Sequence, residues 1–426
     1  MLFKLKILYY LLTIKFLKIS RINRTEFHKK ILKRNFLRKI QKSTYYKRLL
    51  DEHGRIEKIP LTNKKIFMEN FDLINTAGIS IDKASDTAEK AEKSRDFSSM
   101  IGATSVGLST GTSGKRGIFL INENERARWV AYVLDRVIGF SFQRRKLAFF
   151  LRANNKLYQS VKSKILDFQF FDIHLNIDEH ISKLNALKPH ILIAQPSVLV
   201  VISKLQIENK ISIQPNQIIS VAEVLSPEDR IQIEKTFQLK ISEVYQCTEG
   251  FLAASCKHGT LHFNEDYLII EKKYINAEKT KFHPVITDLL RKTQPIVRYE
   301  LNDIISEKKN CICGNPHMGI EQIEGRSDDI IIMKTAAGES ITIFPDIIRR
   351  TIVLSDSNID DYKVTYMSSI FHLAIESVDK TSFSKAKNAL IKKLNTYDIY
   401  DFEILKKPYK SIDLGRKRRR VENLNG

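Results

Sequence analysis

The chain has 426 residues, 43% hydrophobic and 28% charged, with a formal net charge of +21. That length buries a large core divided into two or more domains, and the composition is that of an ordinary globular protein. The charge is uneven: residues 1–50 hold ten Lys and five Arg against Glu26, a sum of +14, which leaves +7 for the remaining 376.

The basic arm comes first in the chain. Anionic membrane and nucleic acid both attract such charge, but no recognition motif accompanies it, so nucleic acid is not expected as a partner. Its longest uncharged apolar run, Ile7 to Ile14, is too short to span a bilayer. Lys4, Lys6, Lys15 and Lys18 interrupt the apolar residues and no small-residue cleavage site follows, so a secretory signal is not expected. Two readings of residues 1–20 stay open: a helix lying on an anionic membrane surface, or a helix packed on the body with a solvated basic face. Phe27, Ile31, Leu32, Phe36 and Ile40 then predict helix within residues 22–50. Asp82 to Arg95 reads as an exposed, charged helix.

A glycine-rich stretch follows, Ser109-Thr110-Gly111-Thr112-Ser113-Gly114-Lys115-Arg116-Gly117. Val106-Gly107-Leu108 leads in and Ile118 to Ile121 leads out, so it reads as a loop between two strands. Glycines bring backbone N–H groups close to an anion, and hydroxyls and a lysine add donors, which suits a polyphosphate. The spacing is not that of a Walker loop, because Arg116 follows Lys115. The competing reading is a flexible polar loop.

Beyond it, Asn122 stands three residues before Glu125, as in a helix cap, and Val130, Val133, Leu134, Val137 and Ile138 mark a helix ending near Gly139. Strands are predicted at Leu147 to Leu151, His190 to Ala194, Gln217 to Val221 and Ile241 to Tyr245. Helices are predicted from Pro196 through Leu205 and from Ser226-Pro227, with Ser226 as cap. Strands alternating with helices predict a mainly parallel sheet, whose ligands gather where strands end. From about Ile330 the pattern changes. Strands at Ile330 to Met333, Tyr362 to Met367 and Phe371 to Ile375 alternate with helices at Pro345 to Val353 and Ser382 to Leu394, which reads as a small α+β domain.

Four further stretches complete a pattern with the glycine loop. They are Val221-Ala222-Glu223-Val224-Leu225, Tyr245-Gln246-Cys247-Thr248-Glu249-Gly250, Arg298-Tyr299-Glu300-Leu301-Asn302-Asp303 and Gly325-Arg326-Ser327-Asp328-Asp329. In this order and spacing they resemble the signatures of the adenylate-forming (acyl-AMP) enzyme superfamily. Leu261-His262-Phe263-Asn264-Glu265-Asp266, Thr287-Asp288-Leu289, Gln294 to Tyr299 and Cys311-Ile312-Cys313-Gly314 resemble its phenylacetate–CoA ligase-like branch, which includes capsule-biosynthesis and deazaflavin-coenzyme synthetase relatives.

The resemblance implies an α/β fold: a large N-terminal domain with mainly parallel sheets and covering helices, plus a small mobile C-terminal α+β domain. The divisions expected are a basic helical arm at 1–50, the adenylate-forming domain at 51–325 and a lid at 326–426, with Asp328 as hinge. It implies ATP and Mg²⁺ as cofactors, a small-molecule carboxylic acid as substrate, and CoA or another acyl acceptor. By resemblance, Ser109, Thr110, Gly111, Thr112, Ser113, Gly114 and Lys115 hold the β- and γ-phosphates. Ala222, Glu223 and Tyr245 line the nucleotide, Thr248 meets the α-phosphate, and Glu249 binds Mg²⁺. Asp303 takes the ribose hydroxyls, and Arg326 the ribose or phosphates. The family's tail lysine falls in Gly415-Arg416-Lys417-Arg418-Arg419-Arg420-Val421. Lys417 is preferred as a compact point charge, with Arg416 the other register.

The cysteines Cys247, Cys256, Cys311 and Cys313 are expected to be reduced thiols in a cytoplasmic protein, membrane-peripheral where residues 1–20 lie on an anionic surface. Cys256, Cys311 and Cys313 with His258 or His262 suit a tetrahedral structural zinc, and the branch resemblance favours His262. Three readings remain: a CoA ligase, an adenylating enzyme with another acceptor (a surface-sugar amine, a carrier protein or a coenzyme), and an inactive nucleotide-binding partner.

Overall fold

The computed structural model describes residues 2–19, 22–94, 99–108, 116–139, 141, 143–151, 163–410 and 418–425. The phosphate-loop residues Ser109 to Lys115, and Arg416 with Lys417 in the tail, lie outside the described residues. The chain forms two compact units. The first takes residues 1–273, 285–301 and 307–321; the second takes 274–284, 302–306 and 322–426.

In the first unit, five parallel strands lie in the order Leu166–Asp172, Arg145–Leu151, Ile191–Ala194, Gln217–Ser220, Ile241–Cys247. Their registers set Leu147 beside Ile191, Ile193 beside Ile219 and Ile218 beside Ile241. Ile191–Ala194 is buried along its whole length, which explains its unbroken apolar run. Helices Asp178–Leu187, Pro196–Ile207 and Pro227–Phe237 provide the crossovers that parallel neighbours require. Beyond Ile241–Cys247 the sheet becomes antiparallel through Gly250–Ser255 and Leu261–Phe263 to residues 319–320. Only Thr248 and Glu249 separate Cys247 from Gly250, too short a link for a parallel crossover.

A separate sheet of Met100–Ile101, Thr104–Leu108 and Ile118–Asn122 flanks the glycine-rich stretch, with Leu108 opposite Ile118. A Cβ on Gly107 would sit 2.3 Å from the Phe119 ring, so any larger residue there would displace that ring. Asn122 caps helix Glu123–Val133 in a full capping box with Glu125, as predicted. A π-helical turn, Leu134–Ile138, carries the chain to Gly139 at φ 73°.

The helical stretch expected over residues 22–50 is two helices, Ile22–Ile40 and Thr44–His53. Ser43 starts the second by accepting a hydrogen bond from the Tyr46 amide. Strand Leu166–Asp172 and the strands between Gly250 and Lys308 were not foreseen.

In the second unit, four strands run in the order Glu403–Lys406, Ile370–Ser377, Ile359–Met367, Val421–Asn423. Helices Pro345–Val353 and Ser382–Asn395 pack on them through a core that includes Ile348, Ile352, Val364, Phe371, Leu390 and Leu394, all fully buried. The helix starts at Pro345 and Ser382 agree with the sequence reading.

Candidate active site and metal centre

The turn Thr248-Glu249 is held by its backbone. The Arg291 guanidinium donates to the carbonyl of Thr248 at 3.1 Å and of Glu249 at 3.5 Å, and reaches the Leu120 carbonyl at 3.4 Å. Gln294 completes the clamp. Its amide oxygen accepts from the Leu120 N–H at 3.0 Å, and its nitrogen donates to the Ile118 carbonyl at 3.1 Å. The strand leaving the glycine-rich stretch is thereby tied to the Thr-Glu turn. Glu125 strengthens the tie, accepting from the Thr293 amide at 2.7 Å and the Lys292 amide at 2.5 Å. These bonds reach the carbonyls of the turn and not the Thr248 and Glu249 side chains.

Gly250 follows, and a Cβ there would lie 2.9 Å from Asp288 Oδ2, so a larger residue would press on that carboxyl. Burial pushes the Asp288 carboxyl up to about 6. Burial, with the negative charge of the Glu249 carboxylate, raises the Tyr299 phenol far above its ordinary value. The Trp129 indole donates to Gln246 at 3.1 Å.

Ala222 sits just beyond strand Gln217–Ser220 with φ 68°, a left-handed conformation that costs a side-chain-bearing residue energy and that often marks ligand sites. The Glu223 carboxylate accepts from the Ser197 amide at 3.3 Å. Beside Ser197, the Gln195 side chain is fully buried, and neither its oxygen nor its nitrogen has a hydrogen-bond partner among the described residues. Sequence reasoning passed over Gln195, Arg291 and Gln294 as site residues, and assigned no role to Tyr299.

In the second unit the two late motifs meet. Arg326 Nε lies 3.6 Å from Asp303 Oδ1, and the Asn302 amide donates to Asp328 at 3.1 Å. The Ser327 N–H donates to the Asn302 carbonyl at 2.8 Å. His283 Nδ1 donates to the Asp303 carbonyl at 2.9 Å. The arginines just after Lys417 are engaged: Arg418 and Arg420 bind Asp361 at 2.6 and 3.0 Å, and Arg419 pairs with Asp329.

Cys256, His262, Cys311 and Cys313 converge in the first unit, with ligand atoms all within 4.8 Å of one another. Cys256 Sγ is 3.8 Å from Cys311 Sγ, and Cys313 Sγ is 3.3 Å from His262 Nε2. A tetrahedron with metal–sulfur bonds of about 2.3 Å has edges of about 3.8 Å, so the spacing fits one metal ion. His262 Nδ1 donates to the His317 carbonyl at 2.9 Å, which turns Nε2 toward the thiols. The backbone N–H groups of His258 and Asn315 point at the sulfurs of Cys256 and Cys313, at 3.4 and 3.3 Å. The Thr260 hydroxyl and the Cys313 amide hold the Cys311 thiol down to about 5, whereas burial raises that of Cys313. His258 contributes its backbone and is not part of the cluster.

The neighbouring positions of that branch signature are structural. Asn264 and Asp266 both bind Arg136, Asp266 at 2.7 Å, and the guanidinium lies 4.7 Å from the centre of the Tyr132 ring.

This architecture is the adenylate-forming ligase fold. The chain is similar to 2-hydroxyisobutyryl-CoA ligase, solved in the postadenylation state with an acyl-adenylate, at a TM-score of 0.67 and 15% identity, covering 92% of this chain and 88% of that one. It is also similar to the amide bond synthetase McbA from Marinactinospora thermotolerans, at a TM-score of 0.54 and 9% identity over 74% and 67% of the two chains. In sequence it is 25% identical over 240 residues to Protein CapK of Staphylococcus aureus. The match spans about half of each protein, 52% of this chain and 52% of the relative. No protein-family model matches the sequence.

Proposed function

We propose that this chain is an ATP-dependent, AMP-forming carboxylate ligase, joining a carboxylic acid to AMP and passing the acyl group to CoA. The observation that carries the reading is the Thr248-Glu249 turn, clamped through its backbone by Arg291 and tied by Arg291 and Gln294 to the strand that follows the glycine-rich stretch. Attack of a carboxylate on the α-phosphorus gathers negative charge on phosphoryl oxygens, so the protein's task is positioning and charge neutralisation. Ser109 to Lys115 hold the outer phosphates and Thr248 the α-phosphate. Mg²⁺, when bound, neutralises phosphate charge, and Glu249 is its protein ligand. Ala222, Glu223 and Tyr245 line the adenine and Asp303 the ribose, with Arg326 between ribose and phosphates. Lys417, or Arg416 in the other register, supplies the tail cation. Asp328 serves as the hinge on which the small domain turns between the half-reactions.

Cys256, His262, Cys311 and Cys313 hold a structural zinc. Four protein ligands close the coordination sphere, so the ion contributes to folding and not to the reaction. The protein acts in the cytoplasm, where ATP and CoA are at hand.

A second reading changes the acceptor to an amine, on a surface sugar or elsewhere. The likeness to CapK and to an amide bond synthetase favours it. Carboxylate-dependent ATP–pyrophosphate exchange over an acid panel tests adenylation, and mass analysis with CoA or amines separates the acceptors. No exchange with any acid would leave the third reading, an inactive nucleotide-binding partner.

A further inference from the structure

The N-terminal helix Leu2–Ile19 has two apolar faces, and only one is covered by the described residues. The covered face lies on helix Glu123–Val133: Leu11 and Ile14 are buried, and Lys6 pairs with Glu123 at 2.8 Å. The Arg126 and Arg128 guanidinium groups sit 4.9 and 4.6 Å from the centres of the Phe3 and Tyr10 rings. The other face carries Leu2, Leu5, Tyr9, Leu12 and Phe16, each between 53% and 68% exposed. At about 100° per residue these five fall within an arc of about 80°. Leu8, 47% exposed, widens the stripe toward the exposed Lys4 and Lys15. Isolated surface leucines need no explanation, but a continuous stripe along an 18-residue helix does.

We propose that this stripe docks the protein on an anionic lipid surface, with the helix lying in the plane of the interface. Charge argues for that occupant. No acid occurs between Leu2 and Ile19, and residues 1–50 carry +14 as counted above. A second copy meeting this face would set lysine against lysine across a dry contact, whereas anionic headgroups neutralise them. Tyr9 is of the aromatic type that favours the headgroup boundary, and Phe16 adds apolar area to the buried face. No helix among the described residues is long and apolar enough to cross a membrane, so the helix rests on the surface. Membrane docking and packing on the body are thus work for opposite faces of one helix.

The test uses the full chain with phosphatidylcholine vesicles, with and without phosphatidylserine. The wild type floats with the anionic vesicles and much less with the neutral ones. The double variant Leu5→Glu, Leu12→Glu loses at least about tenfold in binding. Lys4→Gln, Lys15→Gln loses the preference for phosphatidylserine. Tyr9→Trp shows blue-shifted emission on anionic vesicles, read against the single native Trp129. All variants melt as the wild type does, because the altered side chains are exposed. Four results overturn the proposal: no flotation of the wild type, equal flotation of the stripe variant, a melting loss in that variant, or a lipid-independent dimer that Leu12→Glu dissociates.

Discussion

Tyr409 and Arg418 share one carboxylate: the Tyr409 hydroxyl donates to Asp361 Oδ2 at 2.5 Å and Arg418 Nη2 to Asp361 Oδ1 at 2.6 Å. In sequence, Lys417 falls between Tyr409 and Arg418. Asp361 is buried, which raises its pKa, yet Arg420 and Arg418 outweigh burial and hold it below the usual carboxylate range. A depressed carboxyl stabilises the fold above its unfolded pKa, near 3.9, and that contribution is lost as pH falls through the folded value.

Asp361→Asn should therefore melt the second unit earlier at pH 7, by about 3 kcal/mol if the pair behaves as other buried ones do. If Lys417 acts as proposed, pyrophosphate exchange should fall at least tenfold, on the order of 1.4 kcal/mol, while transfer from supplied adenylate is spared. Equal loss in both half-reactions would separate Asp361 from the tail's role.

Glu249→Gln keeps the volume and the backbone clamp but removes the charge. Exchange should fall below detection with the melting curve unchanged, because Arg291 holds carbonyls and not the Glu249 side chain. Tyr299→Phe should cost less, because it leaves the Glu249 charge in place. Near-wild-type exchange in Glu249→Gln would exclude Glu249 as the metal ligand.

Purified protein should carry about one zinc per chain by elemental analysis. Cys311→Ser should lose it and melt at lower temperature, since metal binding is linked to folding. Metal-free protein with an unchanged melt would refute the assignment.

Gln195→Leu should raise stability by about 1–3 kcal/mol, because it removes a buried amide without partners and keeps the side chain's size. Exchange should fall if that amide serves a ligand. A stabler enzyme of undiminished activity would show that Gln195 serves none.

Asp288 gives a pH signature of opposite sign. Its pKa, raised to about 6, makes a contribution to stability that is fully present below the unfolded value near 3.9 and is lost as pH rises through about 6. Denaturant melts from pH 4 to 7 should show this decline, and Asp288→Asn should abolish it.

Much of this fold was legible wherever the local chemistry is self-contained. Pro345 and Ser382 start helices by their own preferences, Asn122 and Glu125 cap each other across one turn, and a Cys-x-Cys pair marks a candidate ligand cluster wherever its partners lie. The clamps were not legible, because Gln294 meets Leu120 across 174 positions and Arg291 meets it across 171. No periodicity announces such a bond. Leu166–Asp172 was missed because Phe170 and Phe171 in succession blur the alternation of a strand. Gln195 escaped notice for a different reason: a buried amide without partners is defined by what surrounds it.

The threading of the chain bears on how the protein can be dissected. It passes between the two compact units five times, after residues 273, 284, 301, 306 and 321. A gene fragment cut near residue 325 would retain the four-stranded sheet and both of its helices. It would leave behind residues 274–284 and 302–306, including His283 and Asp303. Such a fragment lacks residues that bond to its own start, and exchanging second units between related chains at that single junction would mismatch the pairing of Asn302 with Ser327 and Asp328. Chimeras should instead carry residues 274–284 and 302–306 along with the tail, as one inherited block.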